Sequence, residues 1–309
     1  MNLPANAPRC LACGSDNFQE WSRCRDIEYY TTDDVFTFYK CLDCDVLFID
    51  PVPLDRLSEI YPSNYYSFAA QKPSLINNVK KRLDSSRFRR IFQQIDQPEL
   101  NILDIGGGAG WQLNALREID SRVRFTQVVD IDPKAEQLAR ENNHEYFCGT
   151  IENFTTGKKF HLILLLNLIE HVADPTAVLQ KVGTLLADGG VALLQTPNYD
   201  SLDERLFRKR NWGGYHCPRH WVLFTQDSFI KTVERAGLRV KSFAYTQGAP
   251  FWAVSMLGLL KDNNLAQVST DSPAFRNPLF GILSALFAGF DFARSPFSKT
   301  SQMFITLEK

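Results

Sequence analysis

The sequence lacks both a long apolar run and a net charge of either sign. Its 309 residues carry 34 Lys and Arg against 35 Asp and Glu, a net charge of −1. This balance argues against a general nucleic-acid binder, because such proteins usually have a basic excess. No apolar run reaches the ~18 residues that a membrane span needs, and residues 1–9 contain no apolar core of the signal-peptide kind. We therefore expect a cytoplasmic enzyme or binding protein.

The sequence contains an odd number of cysteines, and most of them form two closely spaced pairs. Four of the seven cysteines form the pairs Cys10-x-x-Cys13 and Cys41-x-x-Cys44. In a reducing compartment such pairs are typical of metal ligands, and four thiolates complete a tetrahedral zinc site with no open position. We predict a zinc ribbon with a structural Zn²⁺ over residues 1–50. The isolated Cys148 is expected to be buried in a strand.

Strand and helix patterns alternate from residue 99 onward, after a region at 51–98 that is predicted as a helical linker with a basic helix at 75–95. Alternation of this kind predicts crossover units and a mainly parallel sheet that is covered on both faces. The predicted strands are 101–105, 124–130, 144–148, 161–166, 191–196, 239–245 and 303–307. The predicted helices between them are 111–119, 133–142, 175–186 and 225–236.

A glycine-rich turn follows the first of these strands, in the segment "LDIGGGAG" that begins at Leu103. Three of its four glycines, Gly106, Gly108 and Gly110, follow the spacing G-x-G-x-G. Glycine lets the backbone approach a ligand closely, and the following helix adds unpaired N–H groups. The dinucleotide fingerprint needs a small residue at position 111, where Trp111 stands. The next strand ends at Asp130, which is placed to accept hydrogen bonds from a ribose diol.

Four motifs in this order resemble the class I S-adenosylmethionine-dependent methyltransferases: "LDIGGGAG", "VVDIDPKAEQLA", "FHLILLLNLIEHVADP" and "LLADGGVALLQTPN". The resemblance covers about residues 99–246. It implies an α/β fold with a Rossmann-like seven-stranded sheet, whose last strand, at 303–307, is antiparallel.

The resemblance also implies which residues hold S-adenosyl-L-methionine. Asp104 and the three glycines would line the methionine side, and Asp130 would hold the ribose. Thr150 stands where many relatives carry an acid near the adenine, and Asn167 and Leu168 would border the cofactor and the methyl group.

The cysteine knuckles and the segment "YPSNYY" at 61–66 narrow the resemblance to a bacterial branch of small-molecule methyltransferases. Usual members of this branch have Gly where this chain has Asp45. The branch implies a sugar, or a cell-surface polysaccharide or natural-product precursor, as acceptor, and it leaves O-, N- and C-methylation open.

Histidine is the first candidate for a general base, because methyl transfer to such an acceptor needs a proton acceptor near neutral pKa. His171 follows the fourth strand of the domain, and His216 and His220 lie in the aromatic segment 211–225. In that segment Arg219 is a candidate for an anionic substrate group. Candidates for contact with a sugar ring are Trp212, Tyr215 and Trp221, with Asn198 and Tyr199 as further substrate contacts. The alternative is that these residues form a structural lid.

An insertion at 247–302 lies between the last two predicted strands, and it contains two nearly uncharged segments, "PFWAVSMLGLL" and "NPLFGILSALFAGFDFA". It is predicted to be a helical cap, with a subunit interface or peripheral membrane contact as alternatives. Two other functions stay open. One is an RNA methyltransferase that uses the basic helix, although nucleic acid is a disfavoured partner; the other is a non-catalytic cofactor-binding protein. A homo-oligomer is compatible with the pattern.

Overall fold

The computed structural model describes residues 8–62, 64, 85–209 and 211–309. Its strands are β1 Phe18–Cys24, β2 Phe36–Cys41, β3 Leu47–Asp50, β4 Leu100–Ile105, β5 Val123–Asp130, β6 Glu145–Cys148, β7 Phe160–Leu166, β8 Leu186–Pro197, β9 Val222–Leu223, β10 Arg239–Thr246 and β11 Gln302–Glu308. Its helices are α1 Leu57–Ile60, α2 85–92, α3 Trp111–Ile119, α4 Pro133–Glu141, α5 Pro175–Leu185, α6 Leu202–Phe207, α7 Gln226–Arg235, α8 Ala249–Asp262 and α9 Pro278–Arg294.

Seven strands form the larger sheet, in the order β10-β11-β8-β7-β4-β5-β6. β4 pairs in parallel with β5 and β7, whereas β11 pairs antiparallel with both of its neighbours. This sheet confirms the seven strands and the antiparallel last strand that the resemblance implies. The central strand β7 reads as a continuous apolar run because helices cover the sheet on both faces.

Apolar residues of the helices form the core on each face of the sheet. On one face, α5 and α7 contribute Val178, Leu179, Val182, Phe229 and Val233. On the other face, α2, α3 and α4 contribute Phe88, Phe92, Leu113, Leu116 and Ala139. The carboxyl ends of the parallel strands are left for ligand binding, as is usual in open α/β sheets.

The N-terminal ribbon is an antiparallel sheet in the order β1-β2-β3-β9. Its outer strand β9 comes from the aromatic segment 211–225, where Leu223 pairs with Leu47. The ribbon core is continuous with the core on the α5 and α7 face of the large sheet. The ribbon is therefore built partly from the segment that carries His216 and His220.

The insertion consists mainly of the packed helices α8 and α9. α8 lies against the aromatic segment, because the Ser255 hydroxyl accepts a hydrogen bond from the backbone N–H of Gly213 at 2.8 Å. Several large apolar side chains of α9 are exposed, Ile282, Leu286 and Phe292 among them. Within the described ranges, no helix combines the length and apolarity that a membrane crossing requires.

Two sequence predictions need comment. Helix α2 covers only the end of the predicted basic helix, and residues 65–84, with its basic residues Lys80, Lys81 and Arg82, lie outside the described residues. The prediction that Cys148 is buried is wrong. β6 is the edge strand of the sheet, and the Cys148 side chain at its end is exposed.

Gly110 generates a stability prediction. Its φ is +76°, and a Cβ there would overlap Cδ2 of His144, a buried ring that Thr126 holds at 2.8 Å. We expect Gly110→Ala to lower the free energy of unfolding by about 2–4 kcal/mol, from left-handed backbone strain and overpacking. Denaturant titration measures this loss. Gly157→Ala, where a Cβ meets nothing within 4 Å, should change stability by less than about 0.5 kcal/mol; equal losses in both variants would contradict the prediction.

Candidate active site

The glycine turn is held to the end of the neighbouring strand by two hydrogen bonds. The N–H of Gly108 donates to Asp130 Oδ2 at 2.8 Å, and the N–H of Gly106 donates to the carbonyl of Val129 at 2.8 Å. Gly106 and Gly108 have φ values of +75° and +52°. Asp130 thus shapes the turn itself, and its carboxylate has remaining lone pairs for a ribose diol.

Asp104 lies beneath this turn, where its carboxyl group is buried and receives no hydrogen bond from any described residue. A Cβ on Gly107 would stand 2.5 Å from the Asp104 Cγ, so only glycine allows the backbone to close over this acid. Burial, reinforced by the nearby charge of Asp130, raises the pKa of Asp104 to about 8. A buried acid of this kind is complemented by a cationic ligand. The cationic methionine end of S-adenosylmethionine therefore fits here.

The other predicted cofactor residues surround the same strand ends. Thr150 is exposed directly after β6, where the N–H of Gly149 donates to the carbonyl of Asp130 at 2.9 Å. Asn167 is exposed after β7 with a φ of +54°, and it accepts a hydrogen bond from Gln302 at 2.7 Å. Leu168 contacts Gly106: its Cδ1 lies 2.9 Å from the position of a Cβ there. The structure therefore brings the predicted set to one edge of the sheet.

The four paired cysteines lie together at one end of the ribbon. The Sγ atoms of Cys10 and Cys44 are 3.5 Å apart, and those of Cys13 and Cys41 are 3.6 Å apart. All four Sγ atoms lie within 4.8 Å of one another. Thiolates on a tetrahedral zinc ion with bonds of about 2.3 Å stand roughly 3.8 Å apart. The donor set fits a structural Zn²⁺.

Asp45 follows the second knuckle in the left-handed conformation, with a φ of +63°. This backbone geometry accounts for the glycine that is usual at this position in the resembling branch, since glycine adopts it without strain. Asp is one of the few other residues that tolerate it, and here Lys40 pairs with the side chain at 2.6 Å.

Three histidines form a cluster next to Leu168. The ring centroids of His220 lie 4.7 Å from His171 and 4.8 Å from His216. His171 sits in a 3-10 turn after β7, whereas the other two come from the aromatic segment. The sequence predicted all three as candidates, and the fold places them side by side.

Hydrogen bonds define the tautomers of these rings. Nδ1 of His171 contacts the carbonyl of Arg219 at 3.0 Å, and Nδ1 of His220 contacts the carbonyl of Gly214 at 2.8 Å. Because a carbonyl only accepts, Nδ1 carries the proton in both rings and the lone pair is on Nε2. The Tyr61 hydroxyl, 3.1 Å from Nδ1 of His171, is then a second acceptor for the same proton. Nδ1 of His216 instead contacts Oε2 of Glu28 at 2.5 Å.

Burial sets the protonation of the cluster. It lowers the pKa of His171 to about 3, with the charge of His216 adding to the effect, and it lowers the pKa of His220 well below its usual value. Burial raises the pKa of Glu170 to about 8, although the Thr196 hydroxyl donates to its Oε2 at 2.9 Å. His171 and His220 are therefore neutral at pH 7.

Arg219 is buried away from solvent and is committed to the protein. Its guanidinium donates to Asp26 Oδ2 at 2.8 Å and to the carbonyl of Ile60 at 2.6 Å. Burial opposes ionisation of Asp26, but the charge and hydrogen bonds of Arg219 hold its pKa at about 2. This geometry favours a structural role for Arg219 over the predicted contact with an anionic substrate.

The aromatic and amide side chains that were predicted to contact the substrate are likewise part of the buried protein framework. Each of their polar groups donates a hydrogen bond to another part of the protein. The bonds run from Trp212 Nε1 to Asp203, from the Tyr215 hydroxyl to Glu204, from Trp221 Nε1 to the carbonyl of Pro218, from the Asn198 amide to the carbonyl of Thr300, and from the Tyr199 hydroxyl to the carbonyl of Asp45. Every one of these side chains is buried. The surface that they would offer a sugar ring is accordingly small.

Two acids at the site were missed by sequence reasoning. Glu28 and Asp26 lie in the loop between β1 and β2, with no motif around them and almost two hundred residues from their partners. Glu170, which directly precedes His171, is a third acid that was not among the predicted site residues. The available signal was chemical: an apolar protein interior that contains histidines and an arginine requires acids to balance them.

The sheet order, the glycine turn and the acid at the end of β5 define the class I S-adenosylmethionine-dependent methyltransferase fold. The family model described as a methyltransferase domain matches residues 76–242, more than half of the chain. The chain therefore belongs to this methyltransferase domain family.

Individual relatives are more distant. A ubiquinone biosynthesis O-methyltransferase of Nitrobacter winogradskyi is 27% identical over 183 residues, which are 50% of this chain and 64% of that protein. The mitochondrial protein of that name in Arabidopsis thaliana is 31% identical over 175 residues, 50% of this chain and 53% of its own. The chain thus covers less than two thirds of either relative.

A solved structure gives the same fold at lower identity. Coclaurine N-methyltransferase bound to N-methylheliamine and SAH superposes with a TM-score of 0.52 and 15% identity, over 83% of this chain and 81% of that one. At this identity the likeness concerns the fold alone.

The buried Asp104 generates a prediction on pH. Because its pKa is about 8 without a ligand, a cationic ligand that favours the carboxylate must displace a proton below that pH. We expect the affinity for S-adenosylmethionine to rise with pH up to about 8, by at most about tenfold per unit. Calorimetry in buffers of different ionisation heats measures the released proton.

Asp104→Asn should abolish this proton release, whereas Asp188→Asn, at a fully exposed position near the start of β8, should preserve it. A pH-independent affinity in the unmodified protein would refute the assignment.

The buried Arg219–Asp26 pair generates a prediction on stability. Asp26→Asn leaves the guanidinium without its counter-charge in a site closed to solvent, and we expect a loss of about 3–5 kcal/mol in unfolding free energy. The matched control is Asp34→Asn, which breaks the exposed pair with Arg56 and should cost less than about 1 kcal/mol. Comparable losses in thermal unfolding of the two variants would argue against the predicted difference.

Proposed function

We propose that this protein transfers a methyl group from S-adenosylmethionine to a hydroxyl group of a small-molecule acceptor. Bound at the glycine turn, this cofactor supplies a methyl group on a positively charged sulfur. The protein must then align the acceptor oxygen and remove its proton. The observation that carries the proposal is the contact between His216 and Glu28, within a histidine cluster whose member His171 is hydrogen-bonded to the backbone of Leu168.

His216 has the arrangement of a general base with an orienting carboxylate. Glu28 accepts the Nδ1 proton at 2.5 Å, so Nε2 is the nitrogen that takes up a proton. The carboxylate also stabilises the imidazolium that forms. His171 and His220 are less suited, since their lowered pKa values oppose protonation.

The base and the glycine turn are connected through short segments. Leu168, which contacts Gly106, lies two residues before Glu170. The carbonyl of Glu170 accepts the N–H of Trp221 at 2.7 Å, which fixes the aromatic segment to the end of β7. The histidine cluster is thereby held on the side of the turn where Asn167 and Leu168 were predicted to border the methyl group.

The oxygen acceptor is supported by the names of the curated relatives, which are O-methyltransferases. The sugar or polysaccharide-precursor acceptor that the branch implies belongs to the same proposal, because sugars offer hydroxyls. The RNA alternative has less support, because two basic residues around α6 are paired with acids: Arg208 with Glu204 and Arg205 with Asp200.

Turnover with isotope-labelled S-adenosylmethionine tests the proposal. Nucleotide sugars and hydroxylated phenols serve as two acceptor panels, with total RNA as a third arm. Transfer to a hydroxyl in either small-molecule panel supports the proposal. Transfer to RNA alone, or cofactor binding with no transfer in any arm, would overturn it.

The base assignment gives its own prediction. His216→Asn should lower kcat by about 10²–10⁴-fold while the Kd for S-adenosylmethionine stays within about twofold. Asn is chosen because it tolerates the left-handed backbone at this position, where φ is +38°, and its amide can still donate to Glu28.

Glu28→Gln should also lower kcat, because it removes the charge that stabilises the imidazolium. His161→Asn changes a histidine of β7 that lies outside the cluster and serves as the control with unchanged kcat. Full activity in His216→Asn would show that another group removes the proton.

A further inference from the structure

A second group of metal-ligating side chains lies apart from the cysteine site. Glu170, His171 and His220 each offer one ligand atom, and these three atoms lie within 4.8 Å of one another. Nε2 of His220 is 3.9 Å from Oε1 of Glu170. Glu170 and His220 are buried and His171 is partly exposed.

Each of these side chains is oriented by a partner on its other polar atom. Backbone carbonyls of Arg219 and Gly214 hold the Nδ1 protons of the two histidines, and Thr196 holds Oε2 of Glu170. Metal-binding histidines characteristically donate their second N–H to a carbonyl or carboxylate in this way. Two imidazole lone pairs and one carboxylate oxygen remain for a ligand.

The remaining oxygen of Glu170 lacks a partner. Oε1 is buried and has no hydrogen bond in the described structure, and the nearby rings present lone pairs instead of protons. An unpaired buried acceptor among other acceptors is unfavourable unless a cation or a proton sits between them.

We propose that Glu170, His171 and His220 bind one divalent transition-metal ion of the zinc type. Two nitrogen donors favour such an ion over Mg²⁺ or Ca²⁺, which prefer oxygen donors. Ligand atoms around tetrahedral Zn²⁺ stand roughly 3.4 Å apart, so the side chains close by about 1 Å around the ion. Three protein ligands leave a fourth position open.

The open position gives the ion a role in the reaction. An acceptor hydroxyl bound there would have a lowered pKa and would give its proton to His216 more readily. This role rests on the proposed function, whereas binding of the ion does not.

Calorimetric titration of the full chain with ZnCl₂ tests the site, after mass spectrometry has counted the zinc already held by the cysteines. We expect the unmodified protein to bind one further equivalent of Zn²⁺ and to show no comparable binding of Mg²⁺. Glu170→Gln, His171→Asn and His220→Asn should each weaken the added equivalent by more than about a hundredfold. His161→Asn should leave it unchanged.

The variants are chosen to keep the fold. Gln at 170 can still accept from Thr196, and Asn at 171 or 220 can still donate to the backbone carbonyl that holds Nδ1. Without added metal, the three variants should unfold at temperatures similar to that of the unmodified protein. When Zn²⁺ is added, the unmodified protein should gain stability and the three variants should not. Absence of a further equivalent, or its persistence in the variants, would overturn the proposed site.

The two proposals fail separately. Metal binding without methyl transfer to any acceptor would leave the site standing and would remove the proposed function. Methyl transfer in a protein that binds no further zinc would remove the site and leave the function intact.

Discussion

The buried ion pair between Arg219 and Asp26 is the constraint on which the site depends. It joins the ribbon loop that carries Glu28 to the aromatic segment that carries His216 and His220. An ion pair closed to solvent tolerates little movement, because either charge alone would be strongly disfavoured there. The carbonyl of Arg219 also receives the Nδ1 proton of His171. Loss of this pair would therefore release every histidine of the cluster at once.

The ribbon is therefore a component of the proposed site as well as a candidate zinc-binding unit. A zinc ion held by its four cysteines would have no open coordination position and so no chemical role. The loop between β1 and β2 supplies both acids, Asp26 and Glu28. In return the aromatic segment completes the ribbon sheet with β9. Neither unit can form its contacts fully without the other, which couples zinc binding to the geometry of the proposed base.

Two buried acids lie at the ends of adjacent strands, and burial disfavours the charged form of both. Asp104 near the end of β4 and Glu170 after β7 both have pKa values raised to about 8, because burial penalises the charged form. The two proposals give each acid a positive ligand: the methionine end of the cofactor for Asp104, and a metal ion for Glu170. The proposed base His216 differs from both acids, because its ring contacts a carboxylate, that of Glu28.

The sequence alone determined the class of fold and the two binding motifs. Periodicity and the glycine turn depend on neighbouring residues, so the sheet, the place of Asp104 and Asp130 and the cysteine pairs could be predicted locally. Only the tertiary structure decided which side chains of residues 211–225 are buried in the framework and which belong to the candidate site. Arg219, Trp212 and Tyr215 resemble substrate contacts in sequence, but they are buried in the framework, and Glu28 became visible only when folding brought it across the chain to His216. Burial and pairing depend on distant segments, and no local pattern encodes them.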